Sequence, residues 1–251
     1  MVKLSKINFD DIKIDWFGIG CVRCGSSFIW RELSKHPEIY TTKAKELHYF
    51  NNIRKRSCNR YKRNFKKNEE NKLAGEYTPS YFYNKPAMRR INKFFPDAKL
   101  IISFRNPVER AFSNWKHATH FRRIPRMKFM ESFEVERIKD QGIYADRLKF
   151  LYSIVDKSQV HIIWHDELLN DTQATWNELQ NFLGIKQIEC STERYVFRYE
   201  REKNYIRREK NLNKQKPTPK EQAKWRKFYE KDIQKLEKIT NKDLSHWRTP
   251  K

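Results

Sequence analysis

Residues 14–27 have the sequence IDWFGIGCVRCGSS, and this stretch decides the predicted fold. Its first part, residues 14–19, is mostly apolar and predicts a buried β-strand. A loop bracketed by Gly20 and Gly25 follows, and the apolar spacing of residues 28–33 then predicts a helix. A helix start of this kind points free backbone N–H groups and partial positive charge at whatever lies above it. The stretch therefore predicts a phosphate or sulfate site, although an ordinary strand-to-helix turn has the same spacing.

The loop differs from two common nucleotide-binding motifs. A Walker A loop needs a lysine where this chain has Ser26, so the usual grip on the β- and γ-phosphates is missing. A dinucleotide-binding motif needs a third glycine where Arg23 stands. The CxxC at residues 21–24 has no second cysteine pair to complete a zinc site, so we expect no metal or redox chemistry. What remains is an anion-binding loop that contains a cation.

Other segments predict the rest of the fold. The apolar runs 98–104 and 160–164 predict strands buried on both faces, as in a parallel sheet covered by helices. Residues 106–109 (NPVE) and 218–221 (TPKE) each place a capping residue before a proline, followed by a glutamate that can close a capping box. The predicted fold class is therefore α/β, with a central parallel sheet flanked by helices and a P-loop-like strand–loop–helix.

A second anion-binding motif follows the strand at 98–104. Residues 105–113 have the sequence RNPVERAFS. Arg105 leaves the carboxyl edge of the strand, where α/β sheets bind ligands, and Ser113 lies on the helix that follows. An arginine and a hydroxyl near a helix start predict a second anion pocket. Two such pockets at neighbouring strand ends predict a nucleotide that is phosphorylated at both ends.

The composition is strongly basic, because 54 Lys and Arg against 31 Asp and Glu give a formal charge of +23. This favours an anionic partner: a nucleic acid, a membrane surface, an anionic cofactor or a glycan. The basic stretches at 54–72, 122–128 and 201–216 fit either ligand-binding loops or solvated surface. Hydrophobic residues make up 38% of the chain, enough for a core. We expect one domain over residues 1–251, with its core at about 14–247.

The sequence also predicts a location. No apolar run reaches the roughly 20 residues that cross a bilayer, and the N-terminal segment has no signal-peptide pattern. The 4 cysteines are scattered, which is typical of a reducing compartment. We therefore expect a cytoplasmic protein without a transmembrane segment.

In the order of its motifs, the chain resembles the sulfotransferases that use 3′-phosphoadenosine 5′-phosphosulfate (PAPS), especially the carbohydrate and heparan sulfate type. The matching segments are the loop at 20–27, LSKHP at 33–37, KELHYF at 45–50, GEYTPSY at 75–81, RNPVERAFS at 105–113 and KQKP at 214–217. The resemblance covers about residues 14–247. It implies the sulfotransferase fold, PAPS as sulfuryl donor and adenosine 3′,5′-bisphosphate (PAP) as product. It also implies a hydroxyl acceptor on a glycan or glycosylated small molecule, with no metal and no nucleic acid.

The resemblance implies roles for individual residues. The donor-binding residues would be Arg23, Cys24, Gly25, Ser26 and Ser27 at the 5′-phosphosulfate, Arg105 and Ser113 at the 3′-phosphate, and Tyr144, Lys214 and Lys216 near the nucleotide. The acceptor-binding residues would be Lys45, Glu46, His48, Tyr77 and Thr78. Glu46 would be the catalytic base, with His48 as its rival, and Arg23 would stabilise the leaving phosphate.

The chain departs from the pattern of the family at the loop cation, at Ser26 and Ser27, which replace the usual threonine pair but keep both hydroxyls, and at Tyr77. The lysine of the family's loop is Arg23 here, which keeps the charge but does not readily release a proton. Tyr77 stands where some heparan sulfate enzymes have a lysine that touches cofactor or acceptor. The first departure puts any proton-donating role of the loop cation in question.

Two other functions stay open at this level. The first is a P-loop-type kinase of a small molecule, against which the missing Walker lysine argues. The second is a non-enzymatic protein that binds polyanions or nucleic acid, which accounts for the +23 charge but not for two ordered anion motifs.

Overall fold

The computed structural model describes residues 7–65, 72–191 and 216–249. The chain forms two compact units. The sheet unit comprises Met1–Phe104 and Phe150–Cys190, and the helical unit comprises Arg105–Lys149 and Ser191–Lys251. Each unit has buried tryptophans of its own, such as Trp16 in the sheet unit and Trp225 in the helical unit.

A parallel sheet forms the centre of the sheet unit. Its strands are β1 Trp16–Gly20, β2 Ile39–Thr41, β3 Leu73–Tyr77, β4 Lys99–Phe104 and β5 Val160–Trp164, in the spatial order β2-β3-β1-β4-β5. The central strand β1 is buried along its whole length. It pairs Trp16 with Gly75 of β3 on one side and with Lys99 of β4 on the other. The predicted α/β fold with a central parallel sheet is confirmed, because all neighbouring strands pair in parallel.

Two strands were not predicted from the sequence. β3 has the sequence LAGEY, and its glycine and glutamate are both disfavoured in strands. Trp16 on the neighbouring strand explains the glycine, because a Cβ on Gly75 would lie 2.2 Å from the indole ring. β2 has only 3 residues, which is too short to show a periodicity.

Helices occur in both units. In chain order they are α1 Ser26–Lys35, α2 Cys58–Lys62, α3 Lys85–Phe94, α4 Pro107–His120, α5 Glu136–Lys139, α6 Ala145–Tyr152, α7 His165–Asn170, α8 Thr172–Leu183 and α9 Pro219–Thr240. Short 3₁₀ segments occur at Phe50–Lys55, Pro79–Tyr83, Glu131–Glu134, Asp140–Gly142, Lys157–Gln159 and Ser245–Trp247. Within the described ranges, no helix is both long and apolar enough to cross a bilayer.

The helical unit is built around the packing of α4 and α9. The ring of Phe129 stacks on Trp225 of α9 at a centroid distance of 5.0 Å, and it also packs edge-on against Phe112 of α4. Tyr229, one turn further along α9, donates its hydroxyl to the carbonyl of Lys139 at 2.7 Å. The face of α9 that carries Trp225, Tyr229, Ile233 and Leu236 is therefore buried.

The predicted helix caps are confirmed in one case and altered in the other. Thr218 and Glu221 form a complete capping box at the start of α9. Asn106 caps α4 by accepting a backbone N–H in the first turn. Glu109 does not close a box there, because its carboxylate lies 3.3 Å from the guanidinium of Arg105 instead. An arginine one turn away offers that carboxylate a charged donor, which is a stronger partner than a backbone amide.

Candidate active site

The loop between β1 and α1 forms a helix start suited to anions. α1 begins at Ser26, directly after Gly25, whose φ of 90° is adopted readily only by glycine. The first N–H groups of the helix have no acceptor within it and carry partial positive charge. The amide of Val22 donates to the hydroxyl of Tyr83 at 3.2 Å, which ties the loop to the segment after β3.

Two further residues of the loop, Arg23 and Cys24, are notable for backbone conformation and for burial, respectively. Arg23 has a φ of 68°, an uncommon backbone conformation for a residue with a side chain. Cys24 is fully buried, and its thiol lies 3.6 Å from the carbonyl of Val22. All four cysteines of the chain are free thiols.

Lys45 reaches this loop from a distant part of the chain. Its Nζ lies 3.2 Å from Ser26 Oγ, 3.4 Å from Ser27 Oγ and 3.0 Å from Glu46 Oε1. Burial lowers the pKa of Lys45, Glu46 opposes that shift, and the charge of Arg23 adds to it. The family resemblance implied that Lys45 binds the acceptor, whereas the structure places its ammonium group on the hydroxyls of Ser26 and Ser27, in the candidate phosphate loop at 20–27.

Glu46 and His48 lie beside this lysine in a strained segment. Both have positive φ values, 68° and 53°, and such strain is often found at functional sites. Glu46 Oε2 lies 3.5 Å from His48 Nε2, and His48 Nδ1 lies 3.0 Å from Ser80 Oγ. The hydrogen bond from His48, together with Lys45, lowers the pKa of Glu46 to about 2 although partial burial opposes the shift. The carboxylate is therefore ionised and partly exposed, as a proton acceptor must be.

A buried carboxylate that sequence analysis missed supports this segment. Glu76 is fully buried and accepts hydrogen bonds from Tyr61 at 2.9 Å, Tyr81 at 2.9 Å and Thr78 at 2.7 Å. Burial raises the pKa of Glu76, and the three hydroxyl donors oppose that shift. The sequence did contain a signal for Glu76, because this residue belongs to the segment at 75–81 that resembles the family motif. Nothing in the sequence indicated that its carboxylate is buried and accepts several hydrogen bonds.

The same network holds the Lys45–Phe50 segment by its backbone. The amide of Glu46 donates to the carbonyl of Tyr77 at 3.0 Å, and that of His48 donates to Thr78 Oγ1 at 3.4 Å. The amide of Phe50 donates to the hydroxyl of Tyr81 at 3.4 Å. Buried partners therefore hold the strained conformation of the segment.

Tyr77 and Thr78 are placed differently from the expectation that they bind the acceptor. Both side chains are fully buried. The hydroxyl of Tyr77 donates to the carbonyl of Gly20 at 3.1 Å, beneath the phosphate loop. Thr78 is occupied by Glu76 and by the amide of His48. A side chain without exposed surface cannot contact an acceptor directly, so these two residues form the floor of the site.

The second anion motif lies in the helical unit. Arg105 directly precedes the cap of α4, and its guanidinium is held 3.3 Å from the carboxylate of Glu109. Ser113 lies two turns along the same helix and is half-buried. Tyr144 is fully buried and donates its hydroxyl to the carbonyl of Arg105 at 3.0 Å. Tyr144 thereby fixes the backbone of the arginine rather than presenting its hydroxyl to solvent.

Asp232 on α9 is a further support that the sequence did not indicate. Its two carboxylate oxygens accept the amides of Tyr144 at 2.7 Å and Ala145 at 3.1 Å. Burial raises the pKa of Asp232. The carboxylate therefore anchors the residue that holds Arg105.

The two lysines assigned near the nucleotide are placed as follows. Lys216 is exposed and lies just before the cap of α9. Lys214 lies outside the described residues. Within the described ranges, no three His, Cys, Asp or Glu side chains are grouped so that they could hold a metal ion.

A shallow cavity of about 720 Å³ lies elsewhere in the sheet unit. It is lined by Ile14, Leu73 and Lys99, among others, which precede or begin β1, β3 and β4. These are the amino ends of the strands. Ligands of open α/β sheets bind at the carboxyl ends, where the loop at 20–27 lies, so the cavity is not the candidate donor site.

Comparison with known proteins identifies the family of the chain. The model of the Sulfotransferase family matches residues 51–189. This chain belongs to that family. The matched residues include the 75–81 and 105–113 segments of this sulfotransferase, and the match begins directly after the Lys45–Phe50 segment. The family relationship predicted from the ordered motifs is confirmed.

Individual relatives extend the comparison. Human heparan sulfate glucosamine 3-O-sulfotransferase 6 is 25% identical over 183 residues, which cover 68% of this sulfotransferase and 52% of the relative. Human heparan sulfate glucosamine 3-O-sulfotransferase 3B1 is 26% identical over 184 residues, covering 68% and 46% of the two chains. The chain thus spans about half the length of the curated relatives it matches.

Solved structures agree in fold. A sulfotransferase from Alicyclobacillus acidocaldarius has a TM-score of 0.78 and 25% identity, covering 94% of this chain and 99% of that one. Mouse sulfotransferase SULT7A1, solved in complex with PAP, has a TM-score of 0.52 and 15% identity, covering 88% and 84%. The second likeness concerns the fold alone.

Proposed function

We propose that this chain transfers the sulfuryl group of PAPS to a hydroxyl group of a carbohydrate and releases PAP. The observation that carries the proposal is the cluster formed by the phosphate loop, Lys45 and Glu46. One ammonium group lies within 3.4 Å of two loop hydroxyls and of a carboxylate. This cluster supports the proposal because group transfer from a charged donor to a hydroxyl requires hydrogen-bond donors for an anion beside a carboxylate that can accept a proton.

In this proposal the loop holds the phosphosulfate end of the donor. The first amides of α1 and the hydroxyls of Ser26 and Ser27 fit an anion, because a helix start supplies donors and partial positive charge. Arg105 and Ser113 would hold the 3′-phosphate, and Tyr144 and Asp232 keep the arginine backbone in place. Glu109 must then release or share the guanidinium of Arg105.

The transfer itself requires a proton acceptor and charge stabilisation. The acceptor oxygen attacks sulfur in line, the bond from sulfur to the phosphate oxygen breaks, and that oxygen keeps the electron pair. The proton of the acceptor hydroxyl passes to the carboxylate of Glu46. The pKa of Glu46 is about 2, so its carboxylate is ionised at neutral pH but is intrinsically a weak base. His48 bridges Glu46 and Ser80, so it orients the carboxylate and stays the rival base.

We propose a carbohydrate acceptor because the curated relatives named above are heparan sulfate glucosamine 3-O-sulfotransferases. The basic stretch at 122–128 gives an anionic glycan a surface of suitable charge, since Arg122, Arg123 and Arg126 are exposed.

Four free thiols are typical of a reducing compartment. We therefore place the proposed reaction in the cytoplasm.

The test is a calorimetric titration of the protein with PAP, with ATP and magnesium as control. Selective binding of PAP, followed by transfer of labelled sulfate from PAPS to heparan oligosaccharides, is the expected result. A preference for ATP would instead favour the kinase. Binding of neither nucleotide, together with steeply salt-dependent binding of an oligonucleotide, would favour a polyanion-binding protein.

A further inference from the structure

The phosphate loop of this chain lacks a lysine of its own. Position 26 is a serine and the cation within the loop is Arg23, whose backbone has a φ of 68°. The sequence therefore pointed to Arg23 as the group that stabilises the leaving phosphate. In the structure, a second cation lies on the serines that begin α1, and it comes from a segment about twenty residues further along the chain.

Three contacts define the position of this second cation. The ammonium group of Lys45 lies 3.2 Å from Ser26 Oγ and 3.4 Å from Ser27 Oγ, and its third partner is Glu46 Oε1 at 3.0 Å. Only 14% of the Lys45 side chain is exposed. An ammonium on the first two hydroxyls of a helix start occupies the place where an anion bound there would make its contacts.

The floor beneath Lys45 explains how it reaches the loop. The ring centroid of Tyr77 lies 5.6 Å from Lys45 Nζ, within the range of a cation–π contact. The hydroxyl of Tyr77 donates to the carbonyl of Gly20 below the loop. The aromatic ring therefore forms a platform for a lysine that arrives from the Lys45–Phe50 segment.

We propose that Lys45 is the cation that contacts the sulfated phosphate of the donor and stabilises its leaving oxygen, in place of the lysine that the loop lacks. This rests on the proposed function. Lys45 can donate three hydrogen bonds, so it can hold the loop hydroxyls and the phosphate oxygen together. Negative charge from the donor also offsets the cost of a mostly buried ammonium next to Arg23.

The same contact links donor binding to the base. Lys45 and His48 are the charged or titratable neighbours of Glu46; Arg23 contributes to the lowered pKa of Lys45, and His48 opposes the raised pKa of buried Glu76. When the ammonium group turns towards the donor, Glu46 loses one of its two partners. Its affinity for a proton then rises, which makes it a better acceptor for the proton of the attacking hydroxyl.

The test measures PAP affinity by calorimetry, because PAP retains the 5′-phosphate and needs no turnover. We expect Lys45→Met to weaken PAP binding by about 10- to 100-fold, the range for loss of a charged hydrogen bond. Lys45→Arg should stay within a few fold of the wild type. Lys43→Met is the matched control: it removes an exposed lysine two residues away and should leave the affinity unchanged.

Each other outcome has a defined meaning. Wild-type PAP affinity in a folded Lys45→Met protein, with a raised KM for the acceptor, overturns the inference and returns Lys45 to the acceptor site. A loss confined to Arg23→Met would assign the role to Arg23 and likewise reject the proposal. If the wild type itself binds no PAP, the proposed function fails, and the inference fails with it for a different reason.

Discussion

The two candidate anion-binding turns of the molecule each follow a buried strand and open a helix, yet they are built over very different lengths of chain. The turn at 105–113 contains its own arginine, cap and hydroxyl within nine residues. The turn at 20–27 depends on Lys45 for a second cation, and on Tyr83 and Ser103 to hold its backbone. The first kind of site can be recognised from local sequence, whereas the second is completed only when distant segments meet.

We expect the largest effect, on kcat, from a change in the Lys45–Phe50 segment, whose Lys45 contacts the turn at 20–27. Glu46→Gln removes the proposed proton acceptor, and we expect kcat to fall on the order of 10²- to 10⁴-fold. PAP affinity, measured by calorimetry, should stay close to that of the wild type. His48→Asn is the comparison variant: if it abolishes turnover while Glu46→Gln does not, the base is His48.

The next largest effect, on PAP affinity, is expected from changes in the turn at 105–113. Arg105→Ala should weaken PAP binding by about 10- to 100-fold, because a charged hydrogen bond to the 3′-phosphate is lost. Glu109→Gln should instead tighten binding, since it frees the guanidinium from the carboxylate 3.3 Å away. Calorimetry on both variants checks the pair. Unchanged affinity in Arg105→Ala would remove the second turn from the donor site.

We expect a smaller effect, on the free energy of unfolding, from changes at the residues that begin α1 and α4. Gly25→Ala forces a side chain into the left-handed backbone region at φ 90°, which should cost about 1–2 kcal/mol of the free energy of unfolding. Asn106→Ala removes the cap of α4 and should cost about 1 kcal/mol. Denaturant unfolding measures both. Only Gly25→Ala should also reshape the phosphate loop, so a neutral result there would contradict the assigned geometry.

The smallest effect concerns the buried carboxylate under the distant segment. Burial raises the pKa of Glu76 in the folded chain above the ordinary value of 4.5. The folded state therefore holds this proton more tightly than the unfolded state. The contribution to stability is complete below the ordinary pKa and is lost as pH rises through the folded value.

Glu76→Gln removes that titration while preserving the shape of the side chain. The melting temperature of the wild type relative to the variant should therefore fall by a few degrees at most as pH rises from 4 to 8. Thermal unfolding across this range measures the difference. A constant difference at every pH would show that Glu76 titrates alike in both states.

Much of the fold was predictable because its signals are local. The central strands β1 and β4 and the last strand β5 are apolar runs, and the start of α9 has a complete capping box. β3 was not predictable, because its Gly75 makes sense only against the Trp16 ring of β1. In the same way, the burial of Tyr77 and Thr78 depends on the neighbours that cover them, which the sequence does not show.

The sequence by itself determined the family through the order of its motifs. It also determined the parallel α/β class and the position of two candidate anion-binding turns, because each of these is encoded by residues close together in the chain. Only the tertiary structure decided which cation lies on the loop serines, that Glu109 neutralises Arg105, and that Glu76 supports the strained Lys45–Phe50 segment. The physical reason is the short range of these interactions. Hydrogen bonds and close ion pairs act over about 3–4 Å, so they depend on distances that folding alone sets between distant residues.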